Sequence, residues 1–454
     1  MVVWFLVLWV LFGHVAIWVA VYNRLHSWGI PRAMVLAGSV VAIFLVVAGP
    51  LTFVWGLYTG LWGWLDEQLS TWPQISSTLF GAGWFPVAAL YALACVAKAT
   101  SVIYWWVKGK LSPPPAVLRH HVSWRYQLPR EHLLDHQASW GNRLLLRLPG
   151  NESLDVELVD LAVDIPHLPA GLDRLRIVQL SDLHLSGRVP RAFFERVVEI
   201  VNDQDPDFVL LTGDVVEKPE CLSWVPEILG ELRAEYGRYF VLGNHDVLLD
   251  VNKLRRSLED AGLIDLGNRV VEVPVSVTWG KRASRVYPRL FDKESSDACL
   301  PAWQTLPRVV LVGSERPWIG EALSLSELDG RRDGALLLAI SHTPDQIVWA
   351  RKEGIHLLLA GHLHGGQIRI PVIGPIVSPS RFGTRLNAGL YFWPPTLLYV
   401  SRGLSARFPL RWQAPPEVTC LTLRAPQGAS HPRVDFPGKA PALGASGFGE
   451  HLDR

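Results

Sequence analysis

The sequence predicts an α/β domain set behind an N-terminal region of membrane-spanning helices. Three observations carry this. The first 107 residues of the 454 contain only five charged side chains, Arg24, Arg32, Asp66, Glu67 and Lys98. Five short aliphatic runs between residues 175 and 364 each stop at Asp, Asn or His. Helical patterns separate several of those runs, at the spacing of strand–helix–strand units.

Taken in order, the apolar stretches at roughly 2–22, 33–58 and 84–107 are each long enough to cross a hydrocarbon core of about 30 Å. The first lacks a basic n-region, a twin arginine and an A-x-A site, so it reads as an anchor and not as a cleaved signal. Arg24 and Arg32 lie in the first loop, and the second loop (59–83) has Asp66 and Glu67 but no Lys or Arg. Lys108, Lys110, Arg119 and Arg125 follow the third stretch. By the positive-inside rule the chain is a multi-pass protein of the inner (cytoplasmic) membrane with its large C-terminal part in the cytoplasm. His14 and Lys98 fall inside the spans, and Lys98 is expected to snorkel toward the inner face.

The expected organisation is therefore a transmembrane region at 1–108, a linker or interfacial segment at 109–150, a globular domain at 151–425 and a disordered tail at 426–454. "KLSPPPAV" (110–117) is a stiff, polyproline-like connector. The Arg-, His- and Trp-rich stretch 118–150 suits a membrane interface or a solvated connector equally. Net charge is +1, so bulk electrostatics give no reason to expect nucleic acid as a partner. The four cysteines are far apart, which argues against a disulfide framework or a cysteine metal site.

Within the domain, "LRIVQLSD", "DFVLLTGD", "RYFVLGNHD", "ALLLAISH" and "IHLLLAGHLH" read as strands buried on both faces. In 190–204, Phe193, Phe194, Val197, Val198 and Val201 share one helical face, with Pro190 placed to open the helix. Residues 280–306 read as a long loop carrying Lys281, Arg282, Arg285 and Arg289 among Tyr287, Phe291 and Trp303. It suits an anionic headgroup or a solvated excursion equally.

In open α/β sheets ligands bind beyond the carboxyl ends of the strands, where all the polar endings fall. One Asp-x-His or one Gly-Asp is weak evidence, being more often a turn or a cap. Asp182, His184, Asp214, Asn244, His342, His362 and His364 together are different, because so many carboxylates and imidazoles on one edge need cations to offset repulsion and desolvation. Seven groups are too many for one ion and suit two. Oxygen and nitrogen donors without thiolate fit Mn²⁺, Fe²⁺ or Zn²⁺. Two ions about 3.5–4 Å apart are a common device for attacking a phosphoryl centre with water-derived oxygen.

The ordered motifs "DLH" (182–184), "GDVVE" (213–217), "GNHD" (243–246), "SH" (341–342) and "GHLH" (361–364) resemble the calcineurin-like metallophosphoesterase superfamily over roughly 155–425. "GHLHGGQIRIP", "YVSRGL" (399–404) and "PPEVTCLTL" (415–423) are similar to its membrane-attached bacterial phosphodiesterases and UDP-2,3-diacylglucosamine pyrophosphatases. Two departures are visible: Glu217 stands where Asp is usual, and "RGLSARFPLR" lacks a second glycine after Leu404. Neither is expected to touch a metal ligand.

The resemblance implies a four-layer sandwich, two sheets face to face with helices outside. It implies that Asp182, His184, Asp214 and His364 bind one divalent ion and Asp214, Asn244, His342 and His362 the other. His362 and His364, as an i, i+2 pair at a strand end, are expected to point the same way, with Gly365 and Gly366 turning the chain and leaving room for substrate. His245 is placed to donate a proton to the leaving oxygen or a hydrogen bond to the phosphoryl group, and Asp246 to orient it. The expected function is a membrane-anchored phosphoesterase cleaving a phosphodiester or pyrophosphate of a lipid or nucleotide-lipid. A general phosphodiesterase or phosphoprotein phosphatase merely held at the membrane is the alternative, and a non-catalytic scaffold fits poorly because every ligand is present. Oligomeric state is not legible.

Overall fold

The computed structural model describes residues 2–58, 84–127, 139–275, 289–290, 307–326, 332 and 334–426. Three long helices come first, α1 (Val2–Leu25), α2 (Arg32–Tyr58) and α3 (Trp84–Leu111). All three are long and apolar enough to cross a membrane. Leu36, Phe44, Leu51, Leu90 and Leu93 face outward, as lipid-facing side chains do. His14 of α1 ties the bundle inward, its Nδ1 at 2.7 Å from Tyr91 Oη and its Nε2 at 2.7 Å from Leu45 O.

The remaining elements run β1 (Leu118–Gln127), α4 (Trp140–Leu146), β2 (Asp155–Asp164), β3 (Arg176–Leu180), α5 (Arg191–Asn202), β4 (Phe208–Thr212), β5 (Arg238–Val241), α6 (Val251–Asp260), β6 (Ile264–Asp265), β7 (Val270–Pro274) and β8 (Arg289–Leu290). They continue with β9 (Arg308–Ser314), β10 (Ala335–Ser341), α7 (Ile347–Lys352), β11 (Leu357–Ala360), β12 (Arg369–Ile370), β13 (Gly374–Pro375), β14 (Gly389–Trp393), β15 (Thr396–Val400) and β16 (Glu417–Arg424). Two seven-stranded sheets result, in the orders β1-β2-β16-β3-β4-β5-β6 and β14-β15-β11-β10-β9-β7-β8. The strands that end in polar residues are central and parallel to one another: β3, β4 and β5 in the first sheet, β10 and β11 in the second.

Period-two alternation sorts each strand between two cores. Ile177, Leu210 and Val241 of the first sheet meet Leu338, Ile340 and Leu359 of the second between the sheets. Val178, Val209 and Phe240 point the other way, onto α5 and α6. Leu337, Ala339 and Leu358 face α7. Helix, sheet, sheet and helix thus form the four layers expected. Pro190 caps α5, and its predicted apolar face is fully buried.

The segment expected as linker is partly sheet. Residues 118–127 are the edge strand β1, paired antiparallel with β2 from Leu118 to Gln127 with a register shift at Arg119. Arg119, His120, His121 and Arg125 mask a strand signal that β1 carries only because β2 templates it, and such charges also blunt an exposed edge. Of the expected loop 280–306, only Arg289–Leu290 is described, paired with β7; the rest, and the tail beyond 426, lie outside the described residues.

Candidate metal centre

The loops after β3, β4, β5, β10 and β11 bring their polar side chains together in one cluster. Within it, Asp182, His184 and His364 bring one ligand atom each to within 4.8 Å of one another, and Asp214, His342 and His362 do the same. Asp214 lies between the two groups, its Oδ2 at 3.6 Å from His184 Nε2 and 3.1 Å from His342 Nε2. Asn244 Oδ1 is 3.1 Å from His342 Nε2, so all seven expected residues converge.

The imidazoles are aimed by the nitrogen that faces away from the cluster. Nδ1 of His342 lies 2.8 Å from Thr212 O and that of His364 3.0 Å from Ser405 O, so both carry the proton at Nδ1. Nδ1 of His184 is 3.0 Å from Glu217 Oε2. The Nε2 of His184 and of His364 is thereby left as a lone pair toward the carboxylates, the arrangement that metal-binding histidines take.

The donor set fits a cation. Around His342 Nε2 stand an Asp214 oxygen, the Asn244 oxygen and His362 Nδ1, the last also at 3.1 Å. Asp182 Oδ1, His184 Nε2 and His362 Nε2 are buried without any hydrogen-bond partner. Buried acceptors this crowded are costly unless positive charge sits among them. Burial opposes charge on His342, yet Asp214 and its other acceptors push it up to about 9. His362, by burial and by the neighbouring His342, and His364, chiefly by burial, fall to about 3 and stay neutral donors. Burial would raise Asp182 and Asp214, but the surrounding imidazoles hold both below the usual carboxylate range.

Backbone geometry departs from the expected strand-end picture. β11 stops at Ala360, and His362 and His364 sit at φ 74° and 49°, in the left-handed region. They converge through left-handed turns and not through strand alternation. Asp182, His184 and Asp214 share that region, at φ 53°, 44° and 54°. Non-glycine residues held there cost of order 1 kcal/mol each, a strain typical of functional sites. Cross-loop hydrogen bonds hold them, from Asp182 N to Gly213 O, His184 N to Asp214 O and His362 N to Asp182 Oδ2. Gly365 and Gly366 do turn at positive φ, but the space their missing Cβ atoms leave is filled by Arg402 and Pro375, not kept for substrate.

Two expectations about the carboxylates are corrected. Asp246 does not orient His245: its oxygens accept from the backbone N–H groups of Val215, Val216 and Gly243, stapling the β4 and β5 loops together. Burial and the nearby Asp214 charge push it up to about 6. The carboxylate on His245 is Glu217, 2.7 Å from Nδ1, and the same Oε2 serves His184. The departure at Glu217 therefore does touch an expected ligand. Its place, one turn beyond Asp214, was the available signal. His245 keeps its side chain 21% exposed. Burial opposes its charging, but Asp214 and Glu217 outweigh this and raise its pKa. Trp318, unremarked in the sequence, walls the site beside His342 and His362, with ring centroids 5.5 and 5.2 Å away.

Residues 175–366 match the calcineurin-like phosphoesterase family. The chain is 28% identical over 255 residues to phosphodiesterase YaeI of Escherichia coli, covering 55% of this chain and 82% of that protein. It is 25% identical over 318 residues to UDP-2,3-diacylglucosamine pyrophosphatase LpxG of Chlamydia muridarum, covering 62% and 91%. It is 26% identical over 284 residues to a transmembrane protein with metallophosphoesterase domain from Danio rerio, covering 60% of this chain and 59% of that one, less than two thirds of its length. The motif order, the paired sheets and the Asp/His cluster agree with that match: the domain belongs to the calcineurin-like phosphoesterases, and the chain is a phosphoester hydrolase.

Proposed function

We propose that the chain is a membrane-anchored, binuclear-metal phosphoesterase that hydrolyses a phosphodiester or pyrophosphate carried by a lipid or nucleotide-lipid. The observation that supports it best is the pair of adjacent Asp/His triads, with Asp214 of one also 3.6 Å from His184 of the other. Asp182, His184, Asp214 and His364 would hold one divalent ion; Asp214, Asn244, His342 and His362 would hold the other. Such ions supply Lewis-acid charge and activate water near neutral pH. The chain's own groups do the rest. Glu217 fixes the rings of His184 and His245 together. His245, beside Asn244 and partly exposed, would give a proton to the leaving oxygen or a hydrogen bond to the phosphoryl group. Trp318 would help keep water from the second ion. The lipid part of the reading draws on the three apolar helices and on the likeness to LpxG, and the domain would face the cytoplasm of the inner membrane.

The test is Asp214→Ala in the full-length protein. Both ions lose their shared anion, so metal analysis should find neither retained and hydrolysis of lipid pyrophosphates, nucleotide diesters and phosphopeptides in Mn²⁺ should vanish. Two tightly held ions per chain in that variant would sink the assignment.

A further inference from the structure

Beside the metal centre lies a surface that is apolar where water contact disfavours it. Strands β12 and β13 close a hairpin, residues 368–377, that leaves the site directly after His364, Gly365 and Gly366. Ile368, Ile370, Val372, Ile373, Ile376 and Val377 are all exposed, Val372 by 72%. Val372 at the turn has φ 69°, a conformation that Asn or Gly takes readily and a β-branched residue resists. A turn facing only water gains nothing from that choice.

The hairpin is held at its tip and at its C-terminal end. Trp106 Nε1 of α3 donates to Val372 O at 3.1 Å. Buried Asn23 of α1 donates to Ile376 O at 3.2 Å and accepts from Ser378 N at 3.0 Å. The same ends of those helices carry Arg24, Trp105, Lys108 and Lys110, with Trp28 in the turn after α1, the make-up of a headgroup-level belt. Arg385 stacks on Trp105, 4.0 Å from the ring centroid. Toward the metal centre, a Cβ on Gly366 would stand 2.2 Å from Pro375 Cβ, so the hairpin packs directly on the turn that carries His364. Gln367 Nε2 donates to Phe408 O and Leu410 O, and exposed Phe408 and Trp412 extend the apolar face. No Asp or Glu occurs from His362 to Arg402, a stretch that holds Arg369, Arg381 and Arg385.

We propose that this hairpin, with Phe408 and Trp412 beside it, inserts into the interfacial layer of the bilayer and holds the mouth of the metal centre against the lipid surface. The occupant is lipid because the tip is hydrogen-bonded to the end of an apolar helix, level with its aromatic and cationic belt, and belongs to a stretch with arginines and no acid of its own. The proposal rests on the reading that α1–α3 cross a membrane, and it deepens it: substrate reaches His364 and its neighbours from the plane of the bilayer.

The test uses the full chain in vesicles of equal parts phosphatidylcholine and phosphatidylglycerol. With Cys299→Ser and Val372→Cys, an environment-sensitive fluorophore is placed at the tip; Cys95, Cys221 and Cys420 are buried. A blue shift and quenching by shallow spin-labelled lipid are expected there and not at Glu195→Cys on α5. No quenching at the tip, equal quenching at both positions, or cross-linking of tips between two copies without quenching would overturn it. A Val372→Asp/Ile373→Asp variant should lose about tenfold or more on a vesicle-borne lipid phosphate while keeping its rate on a soluble aryl phosphodiester; equal rates on the lipid would also overturn it. Because insertion is read optically, wild-type inactivity on every lipid phosphate would count against the substrate reading and leave the hairpin result standing.

Discussion

Glu217 concentrates what single residues do here, since one carboxylate oxygen holds both His184 and His245. Burial would raise its pKa, but those two imidazoles hold it far down, so it stays an anion. Glu217→Gln keeps the shape and removes the charge. Metal affinity measured by titration calorimetry should fall by about 10–100-fold, the usual cost of losing such a partner; Glu217→Asp should recover part of it. Unchanged affinity in Glu217→Gln would make the contact idle. His245 is tested by its leaving-group dependence. If it donates a proton, His245→Ala should bind metal normally and slow alkyl phosphodiesters by about 10²–10⁴-fold. p-Nitrophenyl esters, whose leaving group needs no proton, should lose far less. Equal losses on both would show an electrostatic role instead. The seven residues that converge were legible in the sequence because each lies at or just beyond the end of a recognisable run. The partner of His245 was not, because Asp246 adjoins it in sequence while Glu217 reaches it only through the fold.

At the scale of elements, aliphatic runs without alternation identified the five strands that lead to the site, β3, β4, β5, β10 and β11, since burial on both faces leaves little room for polar side chains. The turn at the end of each strand was illegible. Asp, His and Asn do tolerate left-handed geometry, but nothing in "GHLH" announces that both histidines adopt it. Those turns are imposed by the bonds between loops, which exist only once the sheets face each other. The opposite end of β11 offers a cleaner test of energetics. His356 lies there, away from the metal ligands, accepting from Leu337 N at 3.2 Å. Burial, with His167 and Arg332 adding to it, lowers its pKa to about 4. The folded state refuses a proton that the unfolded chain accepts near 6.5, so the group's stabilising share is intact above pH 6.5 and is lost as pH falls toward 4. At about 1.4 kcal/mol per pH unit this is roughly 3 kcal/mol at most. Urea midpoints of wild type should therefore fall more between pH 7 and pH 5 than those of His356→Gln. Parallel falls would remove His356 from the account.

For the molecule as a whole, charge depletion in the first 107 residues gave away the apolar helices, because a lipid-facing surface excludes ionised groups at any position. The join between helices and domain was hidden. Residues 118–127 look like a polar connector and are the edge of the first sheet, so the domain begins only a few residues beyond the end of α3. "SPPPAV" is then the whole tether between α3 and the domain, and Asn23 and Trp106 of the apolar helices reach the domain's hairpin. Such a short tether would make sidedness consequential, because on the proposed reading the site would meet only what lies at one membrane face. The bias is modest: Arg24, Arg32, Lys108 and Lys110 flank the domain side, against none in the 59–83 loop. Each basic residue near a span costs more to translocate than to retain, so the prediction rests on the basic residues alone. The expected result is a cytoplasmic domain. A phosphatase reporter that folds only after export should be silent when fused after Arg424 and active when inserted near Glu67. The reverse pattern would place the centre outside, where it would meet a different set of lipid phosphates, with the hairpin pressed on the outer leaflet. Equal activity at both positions would mean that the charges do not fix the orientation, and only the rigid join between α3 and β1 would then remain to keep the site at a membrane face.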